Sequence, residues 1–411
     1  MAKCDNPLGV GVHEKPLFRN MTAHELLITI ATASSIIAIS LSLYLVYRHL
    51  TNYTQPKLQK LVIRIVLMVP IYTICCTLSI PFYESSVYLG AIYEFYESLV
   101  IASFFLLLCR YLHTDLHSVR QLFSIVEPQP WVLPVRMFRK YVLRRKTTNT
   151  PNGSKYFSII WVCILQFCVI KFFGALTKCI TEALDVYCKT STDPNHARIW
   201  IQVIEIISLI IAMICLLQFY KQTKLELAVH RPLLKFVAIK LVVFLFYVQS
   251  FIFSHLTKKG GAMSPTDKIS YPSLAVGIPK TVLCFEMALV SMLHLYAYPY
   301  DVFQTYKAVD NSEENGIRES RNGDDEAMEL SPQEDSVMLP RKMHWTKAII
   351  HVLSFKDLWR ALLHSYHSVI DHRRKRTTAR HAATNSEQGV EPFVTTSLAE
   401  ALDVMKRRNN N

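Results

Sequence analysis

Hydrophobic positions in this chain gather into seven blocks, near 26–47, 62–83, 91–112, 157–181, 199–220, 233–255 and 276–298. Each runs for about 20 residues, which at about 1.5 Å of rise per residue spans a hydrocarbon core of roughly 30 Å. Backbone polar groups at that depth have no water to bond, so each block is predicted to be a helix. The expected fold is therefore all-α, a polytopic membrane protein with a seven-transmembrane-helix bundle. The first block follows a polar N-terminus, is too long for a signal-peptide core and lacks a small-residue cleavage site, so it reads as a retained anchor.

Basic residues between the blocks give an orientation, because positive charge resists translocation. The loops 48–61, 110–156 and 221–232 hold fifteen Lys and Arg, against five in the alternate loops. The first set is expected in the cytosol, which puts the N-terminus outside and the C-terminus inside. A net charge of +13 then points to anionic inner-leaflet lipid rather than to nucleic acid, since the basic runs flank spans or lie in the tail. Of the ten cysteines, most fall inside or near the ends of spans, where they act as small apolar residues; Cys4 and Cys188 are outside, the one pair that could bridge.

Outside the bundle the pattern changes. Val135–Lys146 alternates basic and apolar residues at helical spacing, as an inner-leaflet surface helix does. An acidic stretch over 306–342 has few apolar residues and is expected to be disordered. The apolar stripe then returns at Trp345, Ile349, Val352, Trp359, Leu363, Tyr366 and Ile370, with Ser354 and Asp357 spaced as a capping box between two helices and a basic run at Arg373–Arg376. The expected organisation is an extracytosolic segment 1–24, a seven-helix domain 25–305, the acidic linker 306–342, basic amphipathic cytosolic helices 343–378 and a disordered tail 379–411.

A charge at the centre of a spanning helix costs roughly 2.5 kcal/mol or more, so one that persists faces a cavity or a partner. This chain carries Glu94, Glu97, Glu182, Glu205 and Glu286 against Lys171, Lys178, Lys235, Lys240 and Lys280, with Arg64 in excess. Near-equal numbers predict a largely paired interior. Glu94 and Glu97 are three apart, Lys171, Lys178 and Glu182 follow at i, i+7 and i+11, and Glu286 and His294 are eight apart. Each set shares a helical stripe. Spans three, four, six and seven are thus expected to enclose a polar interior, with Glu94, Glu97, Lys171, Glu182, Glu205, Lys240, Glu286 and His294 as a column that could guide a charged solute. The competing reading is structural ion pairing, and Lys178, Lys235 and Lys280, near span ends, read as snorkelling side chains. Pro70, Pro81 and Pro279 are expected to bend or break their helices.

Several of these residues lie in motifs that resemble the organic solute transporter alpha-subunit group, on the side of its relatives called transmembrane protein 184. Arg64-Ile-Val-Leu-Met-Val-Pro70-Ile-Tyr72 is similar to a family "MVPIY" segment, Glu94-Phe-Tyr96-Glu97 to an acidic "YEAYVI" motif, and Glu182-Ala-Leu-Asp-Val-Tyr187-Cys188 to "EALGVYC". Arg231-Pro-Leu-Leu-Lys235-Phe-Val-Ala-Ile-Lys240 resembles "RPLLKF" and "KLVIFL", and Cys284-Phe-Glu286-Met287 followed by His294 resembles "ICIEM" with its histidine. The resemblance covers roughly 25–305 and adds Gln249 to the candidate pathway. It implies a seven-helix fold, facilitated or ion-coupled carriage of amphipathic anions such as steroid conjugates, and a single-span beta-type partner. The membrane would be plasma, endosomal or vacuolar. Val248 stands where a tryptophan is expected, Cys76 and Thr77 where serine and tryptophan are expected, and the cysteine-rich stretch of the bile-acid carriers is missing.

Other functions fit less of the sequence. Cys109-Arg110-Tyr111 at the end of span three suggests a G-protein-coupled receptor, but the loop that follows is long and span seven has no Asn-Pro-x-x-Tyr run. His113 and His117, four apart with Asp115 between, have zinc-ligand spacing without a third ligand, so no metal, cofactor or enzymatic activity is expected. No Gly-x-x-x-x-Gly-Lys-Ser/Thr signature occurs, which disfavours direct ATP drive. The serious alternative to a carrier is a non-transporting endomembrane scaffold acting through its cytosolic tail.

Overall fold

A computed structural model describes residues 11–17, 20–113, 115–131, 153–188, 196–256, 264–303, 350–352, 354–363 and 365. It falls into two compact units, Met1–Leu358 and Trp359–Asn411. The expected disordered segments 306–342 and 379–411, the Val135–Lys146 surface helix and Cys4 lie outside the described residues. In the second unit the described residues are helical, with Trp359 and Leu363 exposed.

Among the described residues the regular elements of the first unit are helices: α1 Ala23–Thr51, α2 Pro56–Val66, α3 Met68–Leu78, α4 Ser86–Leu112, α5 Leu116–Ile125, α6 Gly153–Ala183, α7 Ala197–Gln222, α8 Pro232–Leu256 and α9 Ile278–Ala297, with shorter turns between them. Among the described residues six stretches are long and apolar enough to cross a membrane: Ala23–Thr51, Pro56–Leu78, Tyr83–Leu112, Gly153–Ala183, Ala197–Gln222 and Ser273–Phe303. The remaining apolar block, 233–255, forms the 25-residue α8.

Local chemistry sets the helix ends. Thr22 caps α1 through a reciprocal box, its Oγ1 accepting from the Glu25 amide at 3.2 Å while Glu25 Oε2 accepts from the Thr22 amide at 3.0 Å. The second span is broken, as its prolines predict: α2 stops at Val66 and α3 starts at Met68. Pro70 explains the position, because it has no N–H for the carbonyl four residues back, Val66, and its ring crowds that oxygen. Pro279 acts similarly on the last span, where a π-helical turn over Ser273–Gly277 precedes α9.

Packing puts α4 and the α2/α3 pair at the centre. Helix α4 contacts α2, α3 and α6; α6 contacts α7 and α5; α9 contacts α1, α3 and α8. Ile65, Val66, Met68, Val69 and Tyr72 are buried on the broken span, and Phe104 through Cys109 on α4. By contrast α1 presents Ile36, Tyr44 and Tyr47 outward, and α7 presents Trp200, Ile204 and Ile207, as lipid-facing helices do. An aromatic cluster ties four helices together at the basic end of the bundle. Phe105 of α4 lies 5.3 Å from Trp161 of α6 and 5.2 Å from Phe219 of α7, and Phe123 of α5 stacks 4.8 Å from Phe157.

At the opposite end the N-terminal segment is pinned to the loop before α9. Glu14 Oε1 accepts from the Ser270 amide and hydroxyl at 2.8 and 2.7 Å, and Oε2 from the His24 amide at 2.8 Å. Lys15 pairs with Asp267 at 2.7 Å. Cys188 is disulfide-bonded, whereas Cys75, Cys76, Cys109, Cys163, Cys168, Cys179, Cys215 and Cys284 are free thiols.

Partial burial pushes the Glu14 carboxyl up, but its hydrogen bonds from Ser273, Ser270 and His24 outweigh this and hold it below its ordinary value. A depressed carboxylate stabilises the fold above its unfolded pKa, and that contribution fades as pH falls through the folded one. Glu14→Gln is therefore expected to lower the melting temperature at neutral pH, with the gap to wild type closing below about pH 4. Differential scanning fluorimetry across pH 3–8 checks this; a gap independent of pH would contradict it.

Candidate functional site

Four charges in the bundle close on one another. Lys171 Nζ donates to Glu94 Oε2 at 3.1 Å and to Glu205 Oε2 at 2.7 Å. Lys178 Nζ donates to the same two oxygens, 3.0 Å from Glu205 and closer still to Glu94. Two cations and two anions from α4, α6 and α7 thus neutralise one another, with side chains between 2% and 19% exposed. Seven residues separate the two lysines, about two helical turns, so both ammonium groups reach one level from the same face of α6. Gly174 lies between them because α7 comes too near for a side chain: a Cβ there would collide with Glu205 Oε1.

A second set of polar groups is not closed. Glu97, on α4 one turn beyond Glu94, is 2% exposed. Its Oε2 accepts from the Tyr72 hydroxyl at 3.2 Å, and its Oε1 has no partner among the described residues. Among charged groups, Lys240 of α8 acts most strongly on it, yet Lys240 Nζ has no hydrogen-bond partner among the described residues. Gln249 lies within hydrogen-bonding reach of Glu286 of α9, but among the described residues neither Gln249 Nε2 nor Glu286 Oε2 has a partner in good hydrogen-bond geometry. His294 is fully buried, edge-on to Tyr298 at 5.6 Å between centroids and next to the Ala238 backbone, and among the described residues neither ring nitrogen has a partner in good hydrogen-bond geometry. Along α8 the step from Lys240 to Gln249 is about 13 Å, and along α9 the step from Glu286 to His294 is about 12 Å. The open groups therefore extend over some two to three helical turns on α8 and α9, with Glu97 facing them from α4.

The column expected from the sequence is thus two structures. Glu94, Lys171 and Glu205 belong to the closed cluster; Glu97, Lys240, Gln249, Glu286 and His294 belong to the open set. Glu182 stands apart, half-buried near the end of α6 beside Tyr88. Of the three lysines read as snorkelling, Lys178 joins the closed cluster and Lys280 donates to the Tyr93 hydroxyl at 2.7 Å, whereas Lys235 donates to the His230 carbonyl, in the turn before α8, at 2.6 Å.

Sequence reasoning missed Tyr72 and Asp357. The first was quoted in a motif without a role. The second was read as half of a capping box, but its carboxylate takes a bidentate ion pair from Arg64, at 2.9 and 3.0 Å. The unmatched Arg64 was the signal for such a partner. Among the described residues no group of three or more His, Cys, Asp and Glu could hold a metal ion.

Residues 27–303 match the family model for organic solute transporter Ostalpha. Among curated proteins the chain is 28% identical to protein LAZ1 homolog 1 of Arabidopsis thaliana over 66% of its own length and 56% of that protein's. It is 28% identical to a transmembrane protein 184 homolog of Dictyostelium discoideum over 76% and 59% of the two chains. Protein LAZ1 of Arabidopsis thaliana is 29% identical over 66% and 56%. In each case the match spans less than two thirds of the relative. No solved structure matches.

Removing one member of a closed buried cluster leaves the others uncompensated, at a typical 3–5 kcal/mol. Lys171→Met is therefore expected to destabilise by about that amount, and Lys171→Met/Glu205→Gln to recover part of it by restoring neutrality. Denaturant or thermal unfolding in detergent measures both. A double variant as unstable as the sum of its single changes would mean the four charges do not act as a unit.

Proposed function

Because the chain belongs to the organic solute transporter Ostalpha family, we propose that it is a carrier, or the carrier-like subunit of one, for amphipathic anionic organic solutes. The observation that supports this best is the open set. Glu97, Lys240, Gln249, Glu286 and His294 bring unsatisfied donors and acceptors to the interior of a membrane bundle, where an unpartnered polar group costs about 1–3 kcal/mol and a charged one more. A solute whose polar head takes up these groups while its apolar body lies against α8 and α9 offsets that penalty during passage. Lys240 is the residue for the anionic group. Gln249 and His294 orient it by hydrogen bonding, and Glu97 and Glu286 are positions for a co-transported cation or proton. The closed cluster takes no part in passage and holds α4, α6 and α7 in register.

The carrier is read as seven spans, with α8 the one between α7 and α9. Its basic end faces the cytosol, and the end with Glu14 and Cys188 faces outward. The disulfide at Cys188 supports that orientation independently of the loop charges, since disulfides persist on the oxidising side of a membrane. A single-span beta-type partner remains part of the proposal. A scaffold acting through the tail is the competing reading, and the binding of Asp357 to Arg64 gives it some support.

Uptake of labelled steroid sulfates and other amphipathic anions into proteoliposomes tests the carrier, with and without a candidate single-span partner. Lys240→Met and Glu286→Gln are each expected to lower saturable uptake about tenfold or more, the size of one lost charged contact. Lys15→Ala, at the exposed pair with Asp267, should match wild type. Absence of uptake under every condition, together with loss of cellular function on deleting 359–411, would favour the scaffold.

A further inference from the structure

Residues 350–352 and 354–357 return to the bundle and fill a socket on its basic end. Arg64 and Lys60, one turn apart on α2, have side chains only 3% and 7% exposed, and between them they hold the Asp357 carboxylate and the Ser354 and Val352 carbonyls. Arg64 Nη1 and Nη2 grip the two Asp357 oxygens, Nη2 also donates to the Ser354 carbonyl at 2.6 Å, and Nε donates to the Val352 carbonyl at 3.2 Å. Lys60 Nζ lies 3.1 Å from Asp357 Oδ1. The guanidinium also sits 4.5 Å over the Phe355 ring. Beside these, Tyr53 bonds His351 Nδ1 at 3.0 Å, and Val352 is buried with Tyr53 and Ile63 against Val46, Leu50 and Leu67. Half-burial pushes the Asp357 carboxyl up, but Arg64 and Lys60 hold it below its ordinary value, so it is ionised at neutral pH.

The same stretch of α2 is also bonded to α4, the helix that carries Glu97. The Arg64 carbonyl accepts from the Tyr96 hydroxyl of α4 at 2.8 Å, and the residue after Tyr96 is Glu97. The geometry points to a regulatory clasp: the Lys60–Arg64 socket binds the segment 350–357 of the chain's own tail, and its occupancy is transmitted through the Tyr96–Arg64 hydrogen bond to the position of Glu97. Losing the clasp strands two buried cations, which α2 relieves by moving toward water, and Tyr96 carries α4 with it. The clasp stands on its contacts alone; only the significance of moving Glu97 rests on the carrier reading.

Hydrogen exchange of the full chain in lipid nanodiscs separates the steps without a transport readout. Asp357→Asn keeps the shape and removes the charge. It is expected to speed amide exchange at least tenfold in 350–357 and also in 94–100, leaving 208–216 of α7 unchanged, whereas Asp357→Glu stays near wild type. Tyr96→Phe is expected to loosen 94–100 while the tail stays protected. Wild-type exchange throughout the tail of Asp357→Asn would overturn the socket, and faster exchange in the tail alone would overturn the coupling. If Asp357→Asn loosens α7 as well, Tyr96→Phe decides: a freed 94–100 with a protected tail supports the clasp, and an unchanged 94–100 refutes it.

Discussion

Lys171 and Lys178 can lie inside an apolar bundle only because Glu94 and Glu205 lie there with them. Each carboxylate oxygen that accepts does so from both lysines, so the group behaves as one neutral object rather than as four desolvated ions. Much of the architecture follows. Helices α4, α6 and α7 must keep a common depth, Gly174 must lack a side chain, and the lipid-facing surface of α7 is set by the face that Glu205 turns inward.

The other side of the bundle lacks any such constraint. On α8 and α9, Lys240, Gln249, Glu286 and His294 carry polar groups of similar chemistry that do not close among the described residues. The result is an asymmetric interior, with one wall fixed by paired charge, where Glu205 Oε1 alone of the four groups' atoms is buried without a partner among the described residues, and the facing wall left with more unsatisfied valence. Glu97 belongs to the second wall although it shares a helix with Glu94, since three residues of α-helix turn a side chain through about 60° from its neighbour's direction. Tyr72 and Tyr93, 4.6 Å apart, pack where the two regimes meet.

Most of the fold was legible in the sequence because a lipid-spanning segment advertises itself by length and composition, and the apolar blocks match the long helices closely. The break in the second span was legible too, since Pro70 acts on a carbonyl at a fixed offset. The division of the charges was not. Whether Glu94 meets Lys171 or Glu97 meets Lys240 depends on how helices rotate against one another, and a spacing of three suits either arrangement. Lys178 misled for a related reason: proximity to a helix end suggests water, but α7 brings Glu205 across to meet it. Arg64 and Asp357 are 293 positions apart, beyond any periodic pattern, and only the charge imbalance hinted at a missing anion.

The junction at Leu67 gives the second span an unusual mechanical character. A continuous helix resists bending along its whole hydrogen-bond ladder, but here α2 and α3 meet across a single residue, next to a proline that leaves Val66 without its usual donor. The span is thus two stiff rods and a hinge, one rod bearing Lys60 and Arg64, the other bearing Tyr72. Forces at the basic end therefore turn into angular motion about Leu67, so that the α2 arm can turn while the α3 arm keeps its seat against α4 and α9.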